Sequence, residues 1–257
     1  MKKSLLSLFV AAAFASQAAQ AEVKVRAGMA NSTYELGGDY VSAESKYQPI
    51  MLGATYAFDN GMYIDLAYSD GSDKHDGWAI ANAPTTICGG GPCGNTASPS
   101  EDFERTDLAL IFGASKLNPN NGIAMTVYAG LKTGETTLGA RNAGLPWTEE
   151  TFTTTGVVFG GGASFPIASG TAGSVGVNLG LGLMAANWQD TTGYDVDADT
   201  ALGFSLGASY TYPFTSKFGI VADVKYNKYS YDFGDTTDPF TVDEAISALG
   251  VMLYAKF

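Results

Sequence analysis

The chain is poor in several things, and each shortage removes a class of protein. No run of about 18 apolar residues follows position 21, so there is no membrane-spanning helix. Only 16% of the 257 residues are charged, which is low for a water-soluble domain. Lys and Arg number 14 against 26 Asp and Glu, for a formal net charge of −12. That balance argues against nucleic acid as a partner, because phosphate binding needs a basic face. There is one histidine, His75, and there are only two cysteines, Cys88 and Cys93.

Hydrophobic residues still make up 46% of the chain, and Gly (32) and Tyr (14) are abundant. Apolar content spread as alternation, without a long run, is the signature of strands that cross a membrane. A closed barrel is the one alternative to a helix there, because lipid offers the backbone N–H and C=O groups no partner. The first stretch reads as a cleaved secretory signal. Lys2 and Lys3 are its positive end, Leu5 to Ala15 its apolar core, and Ala19-Gln20-Ala21 its small-x-small cleavage site. No Cys lies near that cut, which argues against a lipid anchor. Losing residues 1–21 takes the net charge from −12 to −14. Residues 22–257 read as one domain.

The last stretch, Ala245 to Phe257, alternates strictly. Leu249, Val251, Leu253, Ala255 and Phe257 lie on one face, and Gly250, Met252, Tyr254 and Lys256 on the other. A final strand with an apolar outside, a mixed inside and a terminal Phe resembles that of bacterial integral outer-membrane β-barrel proteins. The resemblance implies that Phe257 is the signal read by the barrel-assembly machinery. It also implies an outer-membrane location, with lipid and lipopolysaccharide as surroundings. Among such barrels the chain is similar in architecture to the small outer-membrane protein A-like and opacity-like class.

About ten strands follow from the alternation, with eight as the alternative if the Gly160-Gly161-Gly162 strand and a neighbour are misread. They centre on residues 23–30, 50–58, 62–69, 107–115, 123–132, 157–165, 175–188, 200–212, 218–229 and 245–257. Asp59-Asn60-Gly61 is a tight turn. The connections alternate between short turns and long polar loops, the latter including residues 31–48, 133–155 and 231–243. The expected fold is therefore an all-β, antiparallel up-and-down transmembrane barrel, with short periplasmic turns and long extracellular loops. Phe58, Phe165, Tyr212, Phe218 and Phe257 would form an inner aromatic girdle, and Tyr68, Trp188 and Tyr226 an outer one.

The same alternation points a set of charges into the lumen: Lys24, Arg26, Lys132, Lys225 and Lys256 against Asp65, Asp107 and Asp223. They are either a network of ion pairs that stiffens and plugs the lumen or the lining of a narrow pore. Asp195, Asp197 and Asp199 would share the inward face at the outer rim, where three carboxylates could hold Ca²⁺. The motif is not an EF-hand loop, lacking its Gly and closing Glu, and no other cofactor is expected. Asp232, Asp235, Asp238, Asp243 and Glu244 add negative potential outside, suited to cations or a basic partner. Cys88 and Cys93 bracket Gly-Gly-Gly-Pro and are expected to form a disulfide that pins a loop tip.

Asp73-Lys74-His75 and Asp195-Val196-Asp197 are similar to the Asp-x-His and Asp-x-Asp pieces of omptin-type surface proteases, though in the opposite order along the chain. Lipid A acyl-modifying barrels pair a His with a Ser, and Ser69 and Ser72 lie near His75. A general base must lie within hydrogen-bond reach of its proton. A solvent-exposed loop histidine is the simpler reading, and no catalytic residue is assigned. The function expected is a structural or surface-interaction role through acidic extracellular loops, with an extracellular ligand. A narrow diffusion pore is the alternative, and an omptin-like protease the second.

Overall fold

The computed structural model describes residues 22–38, 41–73, 78–80, 102–140, 148–167, 172–191, 193, 195–234 and 239–257. The described elements, all strands, are β1 (Glu22–Gly38), β2 (Val41–Tyr47), β3 (Ile50–Ala57), β4 (Met62–Asp73), β5 (Trp78–Ile80) and β6 (Asp102–Leu117). They continue with β7 (Ala124–Ala140), β8 (Thr148–Pro166), β9 (Ser174–Asp190), β10 (Asp195–Asp197), β11 (Ala201–Pro213), β12 (Phe218–Phe233) and β13 (Phe240–Lys256). Ten of these form the barrel wall, each pairing antiparallel with the next in the chain. The last closes on the first, from Lys24 opposite Lys256 to Gly38 opposite Val242. Of the short strands between them in the chain, β2 pairs with the outer part of β1, β5 with β2, and β10 with β9.

Tight turns join the strands at the end that also holds the two termini. At Asp59-Asn60-Gly61 the Met62 amide donates to the Asn60 side chain, and Gly61 takes φ 84°, a conformation open to glycine. Alternation sets the facing of each strand. Entering and along β7, residues Ile123, Met125, Val127, Ala129 and Leu131 alternate outward, a stretch of nine residues that matches the thickness of hydrocarbon. Around the wall the same band carries Met29, Phe112, Phe159, Leu183, Leu202, Val224 and Leu249, all exposed. Inside it, four tyrosines sit directly opposite glycines: Tyr63 and Gly113, Tyr128 and Gly160, Tyr229 and Gly203, Tyr254 and Gly219. Each ring lies over the glycine where a Cβ would stand, recovering packing that the glycine gives up.

The strands do not stop where the lipid band stops. β1 was expected to end at Ala30 and runs to Gly38; β7 runs on from Lys132 to Ala140, and β8 begins at Thr148 rather than Val157. Much of what reads as polar loop at 31–48, 133–155 and 231–243 is therefore barrel wall. Above the band the two faces exchange chemistry. Outward positions become polar, as in Asn31, Thr133, Glu135, Thr155 and Lys228, while inward positions become apolar. The interior there is a core of Tyr34, Leu36, Phe103, Leu138, Phe152, Tyr231, Phe233 and Val242, each at 2% exposure or less. The reason is the change of solvent. Within lipid the outside must be apolar; above it the outside meets water, and apolar burial moves inside. Trp188, expected at the outer girdle, points inward into this core and is buried.

Candidate functional site

The lumen is organised in levels from the short-turn end upward. At the mouth, Lys256 pairs with Glu22 at 3.0 Å. Lys24 places its ammonium 4.4 Å from the ring centroid of Tyr254. Next, Arg26 holds Asp65 through two hydrogen bonds of 2.7 Å, and Thr55 donates to the same carboxylate. This fork-on-fork geometry is the strongest form of a carboxylate–guanidinium pair. On β12, Lys225 pairs with Asp223 at 2.9 Å. Lys132 stands 5.5 Å from the ring centroid of Tyr229. All eight charges expected to face inward lie on inward positions, and six of them take part in four ion pairs: Arg26 with Asp65, Lys225 with Asp223, Lys256 with Glu22, and Asp107 with Arg105.

Asp107 belongs to a cluster that the sequence conceals. Arg105, on the same face of β6 two residues earlier, reaches Asp107 with Nε at 3.0 Å and one terminal nitrogen at 2.9 Å. Its other terminal nitrogen donates to Glu244 on β13 at 2.7 Å and to the Thr136 hydroxyl on β7. Its guanidinium also lies 5.0 Å from the Tyr34 ring centroid. Arg105 and Glu244 are each 1% exposed. Burial alone would weaken the hold of Arg105 on its proton, but Asp107 and Glu244 reverse this and hold it more firmly than usual. Glu244 was expected among the acids outside; it lies inside because β13 carries its even-numbered positions to the interior. The signal for both residues is a continuation of period two beyond the expected strand ends.

Above this network the aromatic core fills the lumen. Phe152 packs edge-on against Trp188 and Tyr231, with centroids 5.7 and 5.4 Å apart. Phe233 stacks on Phe240 at 4.6 Å. Glu150 enters this core and accepts a 2.7 Å hydrogen bond from Trp188 Nε1. Burial pushes its carboxyl up to about 8, against the opposing pull of that bond.

The acidic triplet is placed differently from expectation. Val196 and Ala198 pack against the interior core, so Asp195 and Asp197 point to solvent. The Asn187 amide donates to both carboxylates at 2.8 Å. Asp199 is exposed, and its backbone amide bonds Asp232 on β12 at 2.8 Å. The segment thus bridges β9 to β12 where β11 is short, and the facing of its side chains follows from that bridge. Among the described residues no group of three or more His, Cys, Asp or Glu side chains is arranged to hold a metal ion. His75, Cys88 and Cys93 lie outside the described residues.

A closed antiparallel barrel with an apolar belt, a charged lumen and paired termini is the architecture of a bacterial outer-membrane protein that crosses the membrane many times. The chain belongs to the outer membrane protein beta-barrel domain family, whose sequence model matches residues 4–179. No curated protein matches the chain in sequence. Among solved structures it is similar to the outer membrane protease OmpT from Escherichia coli, with TM-score 0.61 and 9% identity over 94% of this chain and 99% of that one. It is also similar to the translocator domain of the autotransporter NalP from Neisseria meningitidis, with TM-score 0.51 and 9% identity over 100% of this chain and 95% of that one. Identities this low speak to fold alone.

Proposed function

We propose that this protein is a non-conducting, non-enzymatic outer-membrane barrel that acts through the part of its wall and loops standing outside the membrane. One observation carries the reading. At the level of Arg105 and just above it, inward side chains from β1, β6, β7, β12 and β13 are at 1% exposure or less, namely Tyr34, Leu36, Phe103, Arg105, Thr136, Leu138, Tyr231, Phe233, Val242 and Glu244. A dehydrated cross-section made of packed rings and a satisfied ion cluster leaves ions no hydrated path.

The outer wall supports the second half of the reading. Glu35, Glu44, Glu104, Glu135, Glu149, Asp195, Asp197 and Asp232 all lie exposed on its outer surface. That acidic collar attracts a basic partner or cations, and lipopolysaccharide would pack at its base. The outward facing of Asp195 and Asp197 speaks against their service in a cleft of omptin type. Assembly of the barrel through its terminal Phe257 belongs to the same reading. The test is single-channel recording of the refolded mature protein in a planar bilayer. Silence from a correctly folded barrel is expected. Steady steps that change when Asp223 or Lys225 is neutralised would overturn the proposal in favour of a pore.

A further inference from the structure

Below the sealed level, the lumen is not filled evenly. On one side Val221 of β12, Met252 and Tyr254 of β13 and Met51 of β3 pack together. Facing them, a cavity of about 380 Å³ runs along β4, β6, β7, β8, β9 and β11. Its lower lining, Thr126, Ser164 and Gly176, lies two residues from the short-turn ends of β7, β8 and β9, so its mouth opens to the periplasm. Its volume falls in the range of pockets that enclose small ligands.

The chemistry of the lining is specific. Tyr63 and Tyr128 occupy one row across the wall, with Gly113 between them and Gly160 beyond. Each ring lies down over its glycine, which leaves a ring face directed into the cavity. Around these two faces stand Asn178, which is inward yet exposed, and the hydroxyls of Thr126, Ser164 and Ser209. The single charged group on the lining, Asp65, is already neutralised by Arg26. A side chain at Gly176 would run into the Ser209 hydroxyl, so glycine there keeps the space open.

We propose that this vestibule binds a neutral saccharide from the periplasmic side. Flat aromatic faces suit the C–H faces of a sugar ring, and hydroxyl and amide groups suit its hydroxyls. A phosphorylated or carboxylated ligand finds no unpaired cation on this lining, and a purely apolar one would strand the Asn178 amide. The site is separate from the extracellular surface and does not depend on what that surface binds.

The experiment is a titration of the mature barrel, refolded in a detergent without sugar headgroups, with maltose and with N,N′-diacetylchitobiose, followed by NMR of the Asn178 side-chain amide and the Tyr ring resonances. Saturable shifts with at least one disaccharide are expected, and glucose 1-phosphate should produce none. Shifts with diacetylchitobiose alone would point to amino-sugar glycan, and shifts with both to neutral sugars in general. Asn178→Leu should weaken binding by about tenfold, the worth of one lost hydrogen-bond partner. Ser209→Phe should abolish binding by filling the space. Both variants are checked for folding by the gel mobility shift between unheated and boiled samples. Absence of saturable shifts in the folded wild-type protein, or shifts unchanged in folded Ser209→Phe, overturns the proposal.

Discussion

Replacing Arg105 with Met tests whether the interior cluster holds the outer half of the barrel together. Met fills much of the same length but carries no donor. Its introduction leaves Glu244, 1% exposed, and Asp107, 20% exposed, as neighbouring carboxylates without their cation. It also removes the donor to the Thr136 hydroxyl, itself fully buried. Breaking a buried pair by removing one partner costs about 3–5 kcal/mol, because the remaining charge cannot recover its water. Glu244→Gln should cost less, about 1–3 kcal/mol, since the amide keeps the shape and Arg105 keeps Asp107. The double variant R105M/E244M removes both buried charges. It should be more stable than the sum of its single changes by about 1–3 kcal/mol. The assay is equilibrium denaturation of the mature protein in lipid vesicles, followed by tryptophan fluorescence and by gel mobility. A loss below about 1 kcal/mol for R105M would refute the argument, since it would mean that water already reaches the cluster.

Glu150 carries a pH dependence of stability. Its carboxyl is raised from an ordinary 4.5 to about 8, so the folded protein keeps a proton that the unfolded chain gives up. The stability from this group is therefore complete below pH 4.5 and declines as pH rises toward 8, by up to roughly 5 kcal/mol on the scale of 1.36 kcal/mol per unit. Glu150→Gln should flatten that slope in denaturation series across the same range; an unchanged slope would assign it elsewhere. Gly203→Ala should destabilise by about 1–3 kcal/mol, because the new methyl overlaps the Tyr229 ring, and Tyr229→Ala in the same chain should relieve part of the loss. Deleting Phe257 should lower the yield of assembled barrel in cells while leaving refolding of the purified protein into vesicles nearly unchanged. Equal losses in both settings would make its role one of stability rather than recognition.

Most of the membrane-embedded barrel could be read from the chain. Leu249 to Phe257, Val175 to Leu183 and Leu202 to Tyr212 alternate without interruption, and lipid demands an apolar residue at every outward position. Asp59-Asn60-Gly61 marks its hairpin because few other residues accept the backbone it needs. The inward positions of Arg26, Asp65, Asp223 and Lys225 follow from the same period of two, since side-chain facing is fixed once the strand is known.

The outer half was hidden because its chemistry is reversed. In Thr133 to Ala140 the outward residues Thr133, Glu135 and Thr137 are polar, and the inward ones include Thr136, so the stretch has the composition of a loop. Only closure of the barrel supplies its partners. Arg105 and Glu244 lie 139 residues apart, and no local pattern pairs them. The facing of Asp195 and Asp197 was likewise decided by the bridge from β9 to β12, which turns Val196 and Ala198 inward. Sequence alone determined the class, the strands within lipid and their register of faces, because a hydrocarbon solvent constrains each residue singly. The aromatic core of the outer half, the buried ion cluster and the cavity below them were decided by tertiary structure, because each depends on side chains from strands that meet only when the barrel closes.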